Sequence, residues 1–137
     1  MSHQLSHNRC IIDDTYNANL GSVKAAIDVL QQCQGQRCFM LGDLGELGQQ
    51  ELQLHQRIGT QVAAAGIEQF YAFGELAAAA VDSYLRAGGN YGKICVNKQE
   101  LSSCFEQLPK VDLSCLVKGS RSSQMEQVVE TLISDGI

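Results

Sequence analysis

The sequence predicts an α/β domain of three layers: a mostly parallel sheet of about five to six strands with helices on both faces. Three observations predict it. Short apolar runs alternate with longer amphipathic runs along the 137 residues, as strands do when each is followed by a crossover helix. The short runs are continuously apolar, the pattern of strands covered on both faces. Polar and glycine-rich segments collect directly after the short runs, where loops at the carboxyl ends of parallel strands lie.

Residues 10–12 (Cys-Ile-Ile) read as the first strand. A helix follows over residues 21–32, because Val23, Ala26, Ile27 and Leu30 recur on one face. Residues 37–41 (Arg-Cys-Phe-Met-Leu) form the second strand, and residues 50–65 a helix with Leu54, Ile58, Val62 and Ala65 as its stripe. Gly66 closes that helix. Residues 69–73 are the third strand, and residues 75–87 an alanine-rich helix that stops at Gly88 and Gly89. A fourth strand over 93–96, a helix over 99–108, a fifth strand over 113–117 and a last helix over 123–133 complete the pattern. The domain is read as residues 10–137; residues 1–9 lack periodicity and read as a cloning scar or the end of an interdomain segment.

The composition narrows the class. A 45 % hydrophobic and 18 % charged chain is globular rather than disordered, and 137 residues allow one domain. A net charge of −5 argues against general nucleic-acid binding, but leaves room for a small phosphorylated ligand. No apolar run approaches a membrane span, and the polar start carries no secretory signal, so a cytoplasmic protein is expected. The six cysteines (Cys10, Cys33, Cys38, Cys95, Cys104 and Cys115) form no CxxC pair and have no His at ligand spacing. They read as reduced cysteines serving as small core residues; a zinc site or a reactive thiol is the alternative.

The loops after the strands carry the chemistry. The first holds Asp13, Asp14, Thr15, Tyr16, Asn17, Ala18 and Asn19; the second holds Gly42, Asp43, Leu44, Gly45, Glu46, Leu47 and Gly48. Gly74 and Glu75 follow the third strand, and Lys118, Gly119, Ser120, Arg121, Ser122 and Ser123 the fifth. Plain structural uses exist for each. Asp14, Asn17 or Asn19 can cap the first helix, Asp43 and Glu46 can serve a helix dipole, and Lys118 and Arg121 can be solvated charges. Lys118 directly follows a buried run, however, and a cation beside the amides that open a helix is an anion site. His55 falls mid-helix and reads as surface or packing, and His3 and His7 fall in the unassigned start. No GxxxxGK[ST], GxGxxG, GxSxG or HExxH motif is present.

The stretches 13–19, 41–48 and 118–121 resemble the DD(S/T)YNAN, LGDMxELG and KGSR motifs of the Mur ligase family, in the branch that adds D-alanyl-D-alanine to a UDP-linked muramoyl tripeptide. Order and intervals agree, and the likeness runs from about Cys10 to Ile133. Leu20 stands where many members have proline, and Leu44 where methionine is usual; neither removes a polar group.

The resemblance implies one Rossmann-like domain of a three-domain ATP-dependent ligase. In that family the tripeptide carboxylate is phosphorylated, and the amine of D-alanyl-D-alanine attacks the acyl phosphate. ATP and Mg2+ are then held mainly by a central domain that this chain lacks, and the UDP-muramoyl tripeptide meets the other domains. No catalytic residue is assigned here. By resemblance Asp14 contacts the ATP ribose, with Tyr16 and Asn17 lining the nucleotide cleft. Lys118, Ser120 and Arg121 meet the dipeptide carboxylate or the transferring phosphate. Asp43, Glu46 and Glu75 are candidates for the dipeptide ammonium. Alone, the domain is expected to be inactive, since phosphoryl transfer depends on positioning groups that it lacks.

Two rival readings fit parts of the pattern. A phosphoacceptor receiver domain shares the acidic pair Asp13-Asp14 and the lysine Lys118, but needs an aspartate where this chain has Phe73, Gly74 and Glu75. An interaction module that kept the fold and lost the ligand is the second.

Overall fold

The structure is a computed structural model that describes residues 1–16, 20–45 and 47–135, with the side chains of Leu20 and Asp135 left aside. Its sheet has six strands: β1 (Ser2–Leu5), β2 (Arg9–Asp14), β3 (Gln36–Gly42), β4 (Gln69–Phe73), β5 (Tyr91–Cys95) and β6 (Leu113–Lys118). Five helices connect or follow them: α1 (Leu20–Gln32), α2 (Glu51–Ala64), α3 (Glu75–Arg86), α4 (Lys98–Gln107) and α5 (Glu126–Asp135). The spatial order is β1-β2-β6-β3-β4-β5. Strands β2 to β6 run parallel, and β1 pairs antiparallel with β2.

Alternation along the buried strands divides the core in two. Phe39, Leu41, Phe70, Ala72 and Leu116 face a layer built by Val23, Ile27 and Leu30 of α1, Ile58 and Val62 of α2, and Ala80, Val81 and Tyr84 of α3. Their neighbours Ile11, Cys38, Met40, Tyr71, Cys115 and Val117 face Leu101 and Phe105 of α4 with Val128, Val129 and Leu132 of α5. The topology accounts for this split. The connections β2-α1-β3, β3-α2-β4 and β4-α3-β5 step outward across the sheet, whereas α4 steps back so that β6 inserts between β2 and β3. A crossover of constant hand must change faces when it changes direction.

Tight packing shapes one helix pair. A Cβ on Gly59 would run into the Ala80 carbonyl and the Tyr84 amide of α3, so α2 and α3 approach at a distance that only glycine permits. The apolar stripe of α2 is turned accordingly. His55, Ile58, Gly59 and Val62 are buried, and Leu54 is only half-buried.

Most element ends fall within two residues of the sequence reading, and two features differ by more. Residues 1–9 do not lie wholly outside the domain: Ser2–Leu5 form the edge strand β1, in register from Ser2↔Ile12 to Leu5↔Arg9. A short polar edge strand with one buried residue, Leu5, leaves no apolar run to read. The last helix begins at Glu126 rather than at residue 123, because Arg121–Ser123 form a 3-10 turn and Gln124 adopts a left-handed conformation at φ 52°.

All six cysteines are free thiols. Burial pushes the Cys38 and Cys95 thiols above their usual range, with neighbouring thiols adding to the effect. They act as small protonated core groups. No described helix is long and apolar enough to cross a membrane.

Candidate functional site

The carboxyl ends of β2, β6 and β3 meet in register, with Asp14 opposite Lys118 and Lys118 opposite Leu41. From these ends α1 leaves to one face of the sheet and α5 to the other. The loops part there and leave a crevice, the switch point at which parallel α/β sheets bind ligands. Thr15 and Tyr16 from the β2 side and Arg121 and Glu126 from the β6 side line a cleft of about 330 Å³. Beside it, a second cleft of about 240 Å³ is floored by Ile12, Ala25, Ala26, Val29 and Leu116 and edged by Asp13, Asp14 and Tyr16. Tyr16 stands 76 % exposed, with its ring facing solvent.

Asp14 and Lys118 come together as expected, but as partners of each other. Lys118 Nζ donates to Asp14 Oδ2 at 2.9 Å, and its side chain is fully buried while that of Asp14 keeps 18 % exposure. The sequence reading gave Lys118 to a ligand carboxylate or phosphate. The structure gives its charge to Asp14, because β6 runs on through Lys118 and carries the side chain beneath the rim. Asp14 also lines the second cleft. Next to it, Asp13 Oδ1 accepts from the Thr15 amide at 3.1 Å and the Thr15 hydroxyl at 2.6 Å, and so turns the chain out of β2.

Ser120 is also turned inward. Its amide and hydroxyl both donate to the Asp43 carbonyl, at 3.0 and 2.7 Å, and the hydroxyl pairs with that of Ser122 at 2.9 Å. These bonds lock the loop after β6 to the loop after β3 and leave Ser120 as a brace rather than an open donor.

Asp43 braces a third loop. Its Oδ1 accepts from the Ala77 amide at 2.8 Å and caps α3 from outside that helix. Gly74 lies against this carboxylate at φ 114°, where a Cβ would strike it. The acid therefore serves the dipole of α3 and not that of α2. Glu75 is exposed in the first turn of α3, and Arg121 is exposed on the cleft. Asn17 and Glu46, assigned from the sequence to nucleotide and ammonium, lie outside the described residues.

His55 was not singled out by sequence, yet it governs the same rim. It is fully buried, and its Nε2 accepts from the Leu44 amide at 3.1 Å. Its Nδ1 lies 2.7 Å from the Glu51 carbonyl, so it is the protonated nitrogen of a neutral ring. The imidazole thus ties the loop after β3 to the first turn of α2. A histidine on the buried stripe, four residues after an acid in the first turn, is the only signal for it in the sequence.

Among the described residues no three His, Cys, Asp or Glu side chains converge as a metal-ligand set.

The fold and sequence match known proteins. The family model described as Mur ligase, glutamate ligase domain, matches residues 2–121. The chain belongs to the Mur ligase family. Several relatives carry the name UDP-N-acetylmuramoyl-tripeptide–D-alanyl-D-alanine ligase. That of Buchnera aphidicola (strain APS) is 37 % identical over 96 % of this chain, and that of Escherichia coli K12 is 35 % identical over 97 %. Among solved structures, MurF from Acinetobacter baumannii superposes with a TM-score of 0.85 at 30 % identity over 98 % of this chain. MurF from Thermotoga maritima, solved in complex with ADP, shares the fold at a TM-score of 0.82 and 20 % identity. This Mur ligase domain spans 28 % and 29 % of the two relatives' lengths and 30 % of the Acinetobacter chain.

Proposed function

We propose that this chain is the domain of an ATP-dependent ligase that closes over the nucleotide and receives D-alanyl-D-alanine for joining to UDP-N-acetylmuramoyl tripeptide. The observation that carries the reading is the meeting of three separated loops at one switch-point crevice, on a chain that matches its named relatives over 96 % and 97 % of its length. The receiver-domain alternative lacks support, since β4 ends without an aspartate.

In this reading the β2 half of the rim takes the nucleotide. The carboxylate of Asp14 accepts from ribose hydroxyls, and Lys118 holds it in place. The apolar floor from Ile12 to Leu116 and the exposed Tyr16 ring suit a purine. Arg121 faces the phosphate that is transferred, where positive charge counts most. Asn17 keeps its place as a further nucleotide contact. Glu75, with Glu46 and Asp43, is assigned to the amine end of the dipeptide; Asp43 does this through its second oxygen while capping α3. Magnesium is assigned to the remaining domains of the ligase. Phosphorylation of the tripeptide carboxylate by ATP releases ADP; the dipeptide amine then attacks the acyl phosphate, forming the amide as phosphate leaves and the amine gives up a proton. The need for ATP is what supports a cytoplasmic reaction.

The test is to incubate the full-length ligase with ATP, UDP-muramoyl tripeptide and D-alanyl-D-alanine, and to weigh the product. The expected mass is that of the pentapeptide conjugate, formed only with all three substrates. Phosphate release without dipeptide-dependent product would overturn the reading. The 137-residue chain alone is expected to give no product.

A further inference from the structure

The strand-end rim carries a third cation, outside the loop clusters that the sequence singled out. Lys98 opens α4 just past the end of β5, and its Nζ reaches across to the start of α5. There it donates to Gln127 Oε1 at 2.7 Å and to the Ser123 carbonyl at 3.4 Å, and it stands 5.9 Å from the centre of the Phe73 ring.

These partners are all uncharged, and the ion pairs found among the described residues do not include Lys98. Lys118, by contrast, is taken by Asp14. Arg121 and Lys98 are thus the two cations on this edge whose charge no described carboxylate neutralises. They stand on opposite sides of the loop after β6. Arg121 faces Thr15 and Tyr16 on the β2 side. Lys98 lies over Phe73, at the end of β4 and two residues before Glu75.

The two held contacts and the aromatic face fix the ammonium in position. An ammonium has three donors, and two are used here. One donor and a full charge remain for an anion.

We infer that Lys98 binds the carboxylate of the incoming dipeptide, on the β4 side of the rim, while Arg121 serves the phosphate on the β2 side. This rests on the ligase reading and divides the rim into two halves, each with its own cation. A dipeptide spans roughly 7 Å between its ends, so its amine would lie toward Glu75 and the crevice.

The test uses the full-length ligase. KM for D-alanyl-D-alanine and for ATP is measured in wild type, Lys98→Met, Lys98→Arg and Arg121→Met. Each is also assayed with D-alanyl-D-alaninamide, whose terminus is neutral. Lys98→Met should raise the dipeptide KM about ten- to a hundredfold, the loss of one charged hydrogen bond, and leave the ATP KM within twofold. Lys98→Arg should recover most of the loss. The amide should be a poor substrate for wild type and no poorer for Lys98→Met, because variant and ligand change remove the same contact. Gln127→Ala, at an exposed helix position, loosens Nζ without disturbing the core and should raise the dipeptide KM severalfold. A dipeptide KM unmoved by Lys98→Met and Gln127→Ala overturns the inference, as does an amide penalty of equal size in wild type and Lys98→Met. Turnover that is absent in wild type overturns the ligase reading and this inference together.

Discussion

Replacing Asp14 by alanine tests the rim where its energetics are sharpest. The Lys118 side chain is fully buried, and it meets Asp14 at 2.9 Å. Removing the acid leaves an ammonium in a site closed to water without its carboxylate. Breaking a buried pair from one side costs about 3–5 kcal/mol, because the desolvation of the remaining charge is no longer offset. Asp14→Ala should therefore lose about 3 kcal/mol or more, near 10 °C in melting temperature for a domain of this size. Lys118→Met removes the other partner but leaves Asp14 18 % exposed, where water can reach it, and Met nearly matches the lost volume. Its cost should be smaller, about 1–2 kcal/mol. The double variant should then be more stable than Asp14→Ala alone. Urea denaturation of all four proteins closes the cycle. An Asp14→Ala loss below about 1 kcal/mol, or a Lys118→Met loss larger than that of Asp14→Ala, would refute the burial argument.

Other consequences follow from single contacts. His55→Leu removes the acceptor of the Leu44 amide and should cost about 1–3 kcal/mol, with faster hydrogen exchange at that amide; His55→Gln, which keeps an acceptor near the Nε2 position, should lose less. Gly59→Ala drives a methyl into the Ala80 carbonyl, so it should destabilise by about 1–3 kcal/mol although alanine is the better helix former; a stability gain by thermal melt would contradict the α2–α3 packing. Burial alone would raise the Glu68 carboxyl, but hydrogen bonds from Arg37 outweigh it and hold the group below its ordinary value of 4.5. A depressed folded-state value means that the stability from this pair is present above that pH and lost as pH falls below it. Unfolding followed from pH 6 down to about 3 should show this limb, and Arg37→Met should flatten it.

Much of this was legible in the sequence, for reasons that can be named. Strands β3, β4 and β6 are covered on both faces, so their continuous apolar runs located them within a residue or two. β1 was not legible, since an edge strand with one buried residue writes no pattern. The three loops could be grouped on one rim because parallel strands place their ends together. The inward turning of Lys118, Ser120 and Asp43 was hidden. Each is a polar side chain bonded to a partner at least 34 residues away in the chain, and spacing along the chain carries no record of that. Lys98 escaped notice for a similar reason: as the first residue of a helix it reads as a surface charge, and only the approach of α5 gives it Gln127 and Ser123.

The central claim is that nucleotide and dipeptide meet on the strand-end rim, in separate halves. A crystal structure of the full-length ligase with a non-hydrolysable ATP analogue and D-alanyl-D-alanine measures this directly. The account predicts the ribose within hydrogen-bond reach of Asp14 and the dipeptide carboxylate within reach of Lys98. A nucleotide seated away from Asp14, or a dipeptide held at the amino ends of the strands, would contradict it.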